Sequence, residues 1–424
     1  MDAEIIDIEK LLNNGCGMAR DSSGAIVFVP GALPGERYNL TEAVRKKGVQ
    51  WAIKRERVRT SEARITPACP HAGPCGGCQL LHVHPEAEAG LKSEFVNDAL
   101  ARIGKLANVP LQIHSFSREA SRFRGKFHAN GGFLGFYGEG SRIIETIRVC
   151  HVLPDALTDL LPTMREWSQK AHFKGEIHFA VAPDSHEVLL DWVGREAQKG
   201  KLLSLLKRSE PSLAGIRYRG SRGKTKWQRG KTSLTFVWNG LEANIEADQF
   251  FQMNPASWPL FFGMVRRFQE TYRPDCIWDV HAGSGFLSSA LDLPNGGTTL
   301  LATEPDPRAF ANLQGHFPSS KTSSHHVRHS TAEQALAEPD FPHHRAQALI
   351  LDPPRTGLEP GLKQYLLESG PPSLLYFSCD QATFARDLRE LSETYALAGP
   401  LHVMNVCPGT LRMETATTLV RRNS

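Results

Sequence analysis

A cysteine stands one residue beyond a short apolar run, Leu374-Leu375-Tyr376-Phe377-Ser378-Cys379-Asp380. Such a run reads as a buried parallel strand, and ligands of open α/β sheets gather at the carboxyl ends of strands. The position offers the Cys379 thiol to a crevice as a nucleophile, although free cysteine is also a common core residue. Three other apolar runs end on polar residues in the same way. Cys276-Ile277-Trp278-Asp279-Val280 leads into His281-Ala282-Gly283-Ser284-Gly285, a Gly-x-Gly turn where backbone can approach a nucleotide-like ligand. The run Thr299-Leu300-Leu301-Ala302-Thr303 ends on Glu304, a carboxylate placed to bind ribose hydroxyls. Ala348-Leu349-Ile350-Leu351 ends on Asp352-Pro353-Pro354-Arg355-Thr356-Gly357.

Four strand ends of this kind at one sheet edge suit S-adenosylmethionine beside a thiol. C5 of a pyrimidine is too poor a nucleophile to take a methyl group directly. Addition of a thiolate at C6 creates an enolate whose C5 can attack the methyl, after which a base must remove the C5 proton so that the thiol can leave. Glu414, in Pro408-Gly409-Thr410-Leu411-Arg412-Met413-Glu414-Thr415, is the candidate base; without Cys379 it would read as an exposed strand-end carboxylate. Amino-group methyltransferases often place an aromatic after Asp/Asn-Pro-Pro, where Arg355 stands here. Cytosine-C5 enzymes acting on RNA commonly carry a cysteine in that loop, and residues 352 to 357 have none. Uracil is the favoured base.

A second group of thiols lies early in the chain. Cys69, Cys75 and Cys78 follow C-x5-C-x2-C spacing on a Gly/Pro-rich loop that can wrap one metal centre, with Cys150 as the best fourth ligand. Four cysteines fit an iron-sulfur cluster or zinc, and His71 or His82 could instead complete a Cys₃His zinc site.

The elements that would position these residues divide the chain. Its 424 residues exceed one compact core and suggest about three domains. Residues 1–58 alternate apolar runs with Gly and Pro, as expected of a small β-barrel. Residues 59–82 and 112–248 are expected to form a mainly β central domain, the latter stretch read as hairpins. Residues 83–111, helical in pattern over 83–106 with Leu91, Phe95 and Leu100 on one stripe, join 249–424 in an α/β Rossmann-like domain. Net charge is only +4, but Arg45, Lys46, Lys47, Lys54, Arg55, Arg57, Arg59 and Arg64 crowd one region, and a second basic stretch runs from Arg217 to Lys231 around Trp227. The two runs suggest a polyanion partner, with Trp227 as a stacking platform. Met1-Asp2-Ala3-Glu4 has no secretory character and no apolar run is of membrane-spanning length, so a cytoplasmic protein with reduced or metal-bound cysteines is expected.

Taken together these motifs resemble the RNA uracil-C5 methyltransferase family over nearly the whole chain. Val29-Pro30-Gly31-Ala32-Leu33-Pro34-Gly35-Glu36 is similar to its TRAM (OB-like) barrel, and Phe250-Phe251-Gln252-Met253-Asn254 to the entry of its methyltransferase domain. The resemblance implies a [4Fe-4S] cluster on Cys69, Cys75, Cys78 and Cys150. It also implies S-adenosylmethionine contacts from Gln252, His281, Glu304 and Asp352, with Cys379 as nucleophile and Glu414 as base. His281 to Gly285 and Phe286 depart from the usual aromatic-Cys-Gly-x-Gly-Asn/Thr-Phe loop, Thr331 stands where Asp or Asn is usual, and Cys407 and Arg412 replace an aromatic and a His near the base. A cluster with a TRAM domain resembles the enzymes of 23S rRNA more than those of tRNA. No membrane and no obligate protein partner is implied. The alternatives are a tRNA enzyme or an RNA-binding protein whose methyltransferase domain has decayed.

Overall fold

The computed structural model describes residues 4–195, 199–206, 213–293, 297–318 and 325–422. Met1, Asp2 and Ala3 of the acidic start lie outside them. Residues 4–59 build a six-stranded sheet with Glu4–Asp7 on one edge and Lys10–Leu11 on the other. Those edges are nearly consecutive in the chain, so the sheet curls around its own core of Ile6, Ile8, Val27, Val29 and Leu40. Much of the first basic run is paired internally: Lys54 with Glu42, Arg59 with Asp7, and Arg64 with the buried Glu36. Arg45, Lys46 and Lys47, at the tip of the long hairpin, stay exposed.

The central region is more than a set of hairpins. Its seven-stranded sheet pairs Val188–Gly194 in parallel with Leu213–Gly220, with the helix Lys199–Leu205 between them in sequence. A parallel pair needs a crossover, and alternating apolar residues do not report the direction of a strand's partner. The helix Leu161–Lys170 packs Met164 and Trp167 into a core with Phe173, Phe179 and Trp192. The second basic stretch also departs from expectation. Arg217 and Arg219 both bond the buried Asp191, at 2.9 and 2.5 Å, and reach Glu246 and Asp248, which Arg308 bonds in turn. Trp227 is half-buried against the central core, so its ring is partly spent on packing.

Leu234–Trp238 and Leu241–Ile245 form a separate two-stranded hairpin, and the strands left over form one nine-stranded sheet. His325–Arg328, Thr299–Thr303, Cys276–Asp279, Ala348–Leu351 and Ser373–Ser378 run parallel in that spatial order. Every residue of the last three is buried, which accounts for their unbroken apolar character. The order reverses between Cys276–Asp279 and Ala348–Leu351, leaving a crevice at their carboxyl ends. Glu414–Arg421 then pairs antiparallel with Ser373–Ser378, followed by Leu401–Asn405 and, brought from far upstream, Leu111–Ser115. The helix Pro85–Ala99 packs behind this edge, with Phe95 and Val96 in the same core as Phe384 and Leu388. Among the described residues no helix is long and apolar enough to cross a membrane.

The Arg217/Arg219 network ties the central sheet to the segment entering the last domain. Replacing Asp191 by Ala removes the buried partner that two guanidinium groups share, leaving them Glu246 and Asp248, and should cost about 1–3 kcal/mol in urea unfolding. The Lys54→Ala substitution, at an exposed pair, should leave the midpoint where it is.

Candidate active site

The antiparallel register sets the centre of the site. Ser378 pairs with Thr415, so Cys379, just past one strand, and Glu414, the first residue of its neighbour, meet at the same edge. Cys379 is half-buried between that strand and the helix Gln381–Leu391, whose N-cap, Asp380, accepts the backbone N–H groups of Ala382 and Thr383. Asp352 follows the adjacent strand and takes a hydrogen bond from the Gln252 side chain. These residues share one electrostatic environment. Burial pushes the Cys379 thiol up to about 11, the carboxylates of Glu414 and Asp352 add to that, and Arg355 opposes it. Burial and the neighbouring Asp352 hold Glu414 well above the ordinary carboxylate range, against Arg355 and Arg412. Asp352 is raised by its own burial. One carboxylate oxygen of Glu414 is buried without a hydrogen-bond partner.

The neighbouring strand ends form a second cradle. Glu304 accepts the N–H groups of Gly283 and Asp306, at 2.9 and 2.6 Å, and burial raises it. Gly285 has φ +85°, a conformation that strains any other residue, and a Cβ there would lie a tight 3.2 Å from the Phe317 ring, so the turn favours glycine. Phe286 fixes the turn by packing among Trp238, Trp258, Phe261 and Phe262. Neither ring nitrogen of His281 has a partner, and burial pushes the imidazole down to about 4, so it is neutral and able both to donate and to accept. The Thr331 hydroxyl is occupied as a helix cap, accepting the Gln334 N–H.

Sequence reading missed two members of this region. Asp279, fully buried at the end of its strand and raised to about 7 by burial, receives the Ser288 hydroxyl at 2.5 Å. An acid inside an apolar run was the available signal. Arg124 places its guanidinium 4.5 Å from the centre of the exposed Phe250 ring with its Nε unpartnered, and burial lowers it only to about 10, so it stays cationic. Nothing in its local sequence marks it.

Cys69, Cys75, Cys78 and Cys150 line one small pocket together with Arg122 and Phe136. Among the described residues, no three His, Cys, Asp or Glu side chains are drawn together closely enough to hold a metal ion. The four thiols stand around the pocket wall, where burial raises Cys75 and Cys150 and takes Cys78 to about 12. Ionising them there requires a compensating cation, as a metal centre would supply. His71 has both ring nitrogens engaged, by Glu145 and by the Arg148 N–H, and His82 does not line the pocket, so the donor set is all cysteine.

No family model matches the chain. It is 27% identical to a protein of Aquifex aeolicus named an uncharacterized RNA methyltransferase, over 98% of this chain and 97% of that one. A protein of Thermotoga maritima with the same name is also 27% identical, covering 99% of both. Among solved structures, a Pyrococcus abyssi tRNA (uracil-54, C5)-methyltransferase in complex with S-adenosyl-L-homocysteine superposes with a TM-score of 0.76 at 21% identity, over 98% of this chain and 99% of that one, and so shares the fold.

A thiol near 11 is almost wholly protonated at neutral pH, and its thiolate fraction grows about tenfold per pH unit below that value. Iodoacetamide labelling of the Cys379 peptide, followed by mass spectrometry, should rise accordingly from pH 7 to 9. Because Glu414 is itself held well above the ordinary carboxylate range, the Glu414→Gln substitution should leave labelling nearly unchanged at pH values where that carboxyl is protonated and speed it, about 3–10-fold, only where the carboxylate ionises.

Proposed function

We infer that this chain is an S-adenosylmethionine-dependent RNA methyltransferase of the uracil-C5 family, and that it methylates C5 of a uridine in structured RNA. The observation that carries the reading is the meeting of Cys379 and Glu414 at one sheet edge beside a cradle of Glu304, Gly283 and His281. The full-length likeness to proteins named RNA methyltransferases supports it.

The cofactor, when bound, supplies an electrophilic methyl group. Glu304 would hold its ribose hydroxyls, and His281, Gln252 and Asp352 would contact the rest; the unpartnered His281 nitrogens fit such a polar guest. Cys379 adds its sulfur to C6 of the uracil, which turns C5 into a nucleophile. Once C5 carries the methyl, Glu414 takes the C5 proton, the C5–C6 double bond re-forms and the C6–sulfur bond breaks. The cations Arg355 and Arg412 attract the RNA backbone and favour the ionised form of the groups that must lose protons, Arg355 at Cys379 and Glu414 and Arg412 at Glu414.

We propose further that the curled N-terminal sheet is a TRAM domain contacting RNA through Arg45, Lys46 and Lys47. Cys69, Cys75, Cys78 and Cys150 would hold a [4Fe-4S] cluster, a choice supported by the all-cysteine donor set. Large-subunit (23S) ribosomal RNA in the cytoplasm is the proposed substrate pool, with tRNA as the alternative.

Nucleoside mass spectrometry of ribosomal RNA and tRNA from a strain lacking the gene should show 5-methyluridine lost from the ribosomal pool. Loss from tRNA would replace the substrate, and no change in either would overturn the reaction. Protein purified without oxygen should carry about four irons per chain; zinc in their place would overturn the cluster assignment.

A further inference from the structure

Lys92 is completely buried, on the face of the helix Pro85–Ala99 that packs against the Cys379 domain. A buried ammonium needs compensation, and its partners here are specific. Nζ lies 2.8 Å from Glu88, one helical turn back, and donates to the Asn405 side-chain oxygen at 2.6 Å, the Arg412 carbonyl at 2.9 Å and the Cys407 carbonyl at 3.2 Å. Glu88 is as deeply buried and faces the same loop. It accepts the Gly409 N–H at 2.8 and 3.0 Å and the Asn405 amide at 3.1 Å, while Arg118 holds its other side at 2.6 Å. The Gly409 carbonyl in turn accepts the Leu80 N–H at 2.8 Å.

All these loop partners lie on residues 405–412, the connection between Leu401–Asn405 and the strand that begins at Glu414. From outside, this pair of charges makes most of the loop's bonds, joined by the Asn254 amide on the Val406 carbonyl at 3.0 Å and the Leu80 N–H on the Gly409 carbonyl; within the loop there are short turns such as the Thr410 hydroxyl bonding the Cys407 carbonyl. Its fixed points are its first residue, its middle and Arg412, two residues before Glu414.

We propose that Glu88 and Lys92, braced by Arg118, are positioning residues that set the placement of Glu414 for removal of the C5 proton. The inference rests on the reading of Glu414 as base. Neither charge touches substrate; each acts through the loop backbone. A displaced base leaves sulfur addition and methylation intact and stalls the last step, in which the C5–H electrons form the C5–C6 double bond and the C6–sulfur bond breaks. The consequence is a methylated RNA–protein adduct that persists, an outcome a general loss of stability would not produce.

The test uses the full-length protein, S-adenosylmethionine, and unmodified transcripts of large-subunit ribosomal RNA and of tRNA. Variants are Lys92→Met and, outside the buried charges, Thr410→Val, which loosens the same loop and decides the question if Lys92→Met fails to fold by circular dichroism. The expected result is a fall in turnover of about 10–10²-fold, first-turnover methyl incorporation close to that of the unaltered protein, and accumulation of adduct resistant to denaturing detergent. Unchanged turnover overturns the proposal, and so does a loss of first-turnover methylation in step with turnover without adduct. If the unaltered protein neither methylates any transcript nor forms an adduct with transcripts containing 5-fluorouridine, the underlying reaction fails instead, a result distinct from failure of the positioning role.

Discussion

The antiparallel pairing of Glu414–Arg421 with Ser373–Ser378 is the constraint on which the site depends. An all-parallel sheet would carry the Cys379 strand and its neighbour to the same edge through a crossover helix. Inserting one antiparallel strand starts the neighbour where the other ends, so the Cys379 thiol and the Glu414 carboxyl adjoin although they are far apart in sequence. The same insertion opens Leu401–Asn405 to parallel pairing with Leu111–Ser115, which draws the upstream helix Pro85–Ala99 behind the site. The proposed nucleophile, the proposed base and the buried charges behind them thus follow from one choice of strand direction.

Electrostatics then make the site quiet until it is filled. Burial and two neighbouring carboxylates favour a neutral thiol on Cys379, and burial with Asp352 favours a neutral Glu414. Their activation needs added positive charge, and the groups available are the guanidinium ions of Arg355 and Arg412 together with a sulfonium guest. In the thiol pocket, burial likewise raises Cys75, Cys78 and Cys150, against the neighbouring Arg122.

The placement of the candidate residues was legible where a single residue terminates a buried strand. Cys379, Asp352, Glu304 and the Gly283–Gly285 turn could be placed from apolar runs alone, because buried parallel strands have little choice of residue. Glu414 was reached only through the need for a base and through family resemblance, since the direction of its strand is a tertiary fact. The basic stretch around Arg217 was misjudged because charge in a sequence does not reveal its partner, and Asp191, Glu246 and Asp248 are brought to it by folding. Lys92 and Glu88 look like an ordinary surface pair four residues apart. Only packing shows that both are buried.

The most direct test of the account is peptide mapping of the protein after reaction with S-adenosylmethionine and RNA transcribed with 5-fluorouridine, in which the C5 proton that Glu414 would remove is absent. The account predicts a stable adduct with the methylated fluorouracil joined through C6 to the Cys379 peptide and to no other. A nucleotide attached to a different cysteine, or methylation without any adduct, would contradict it.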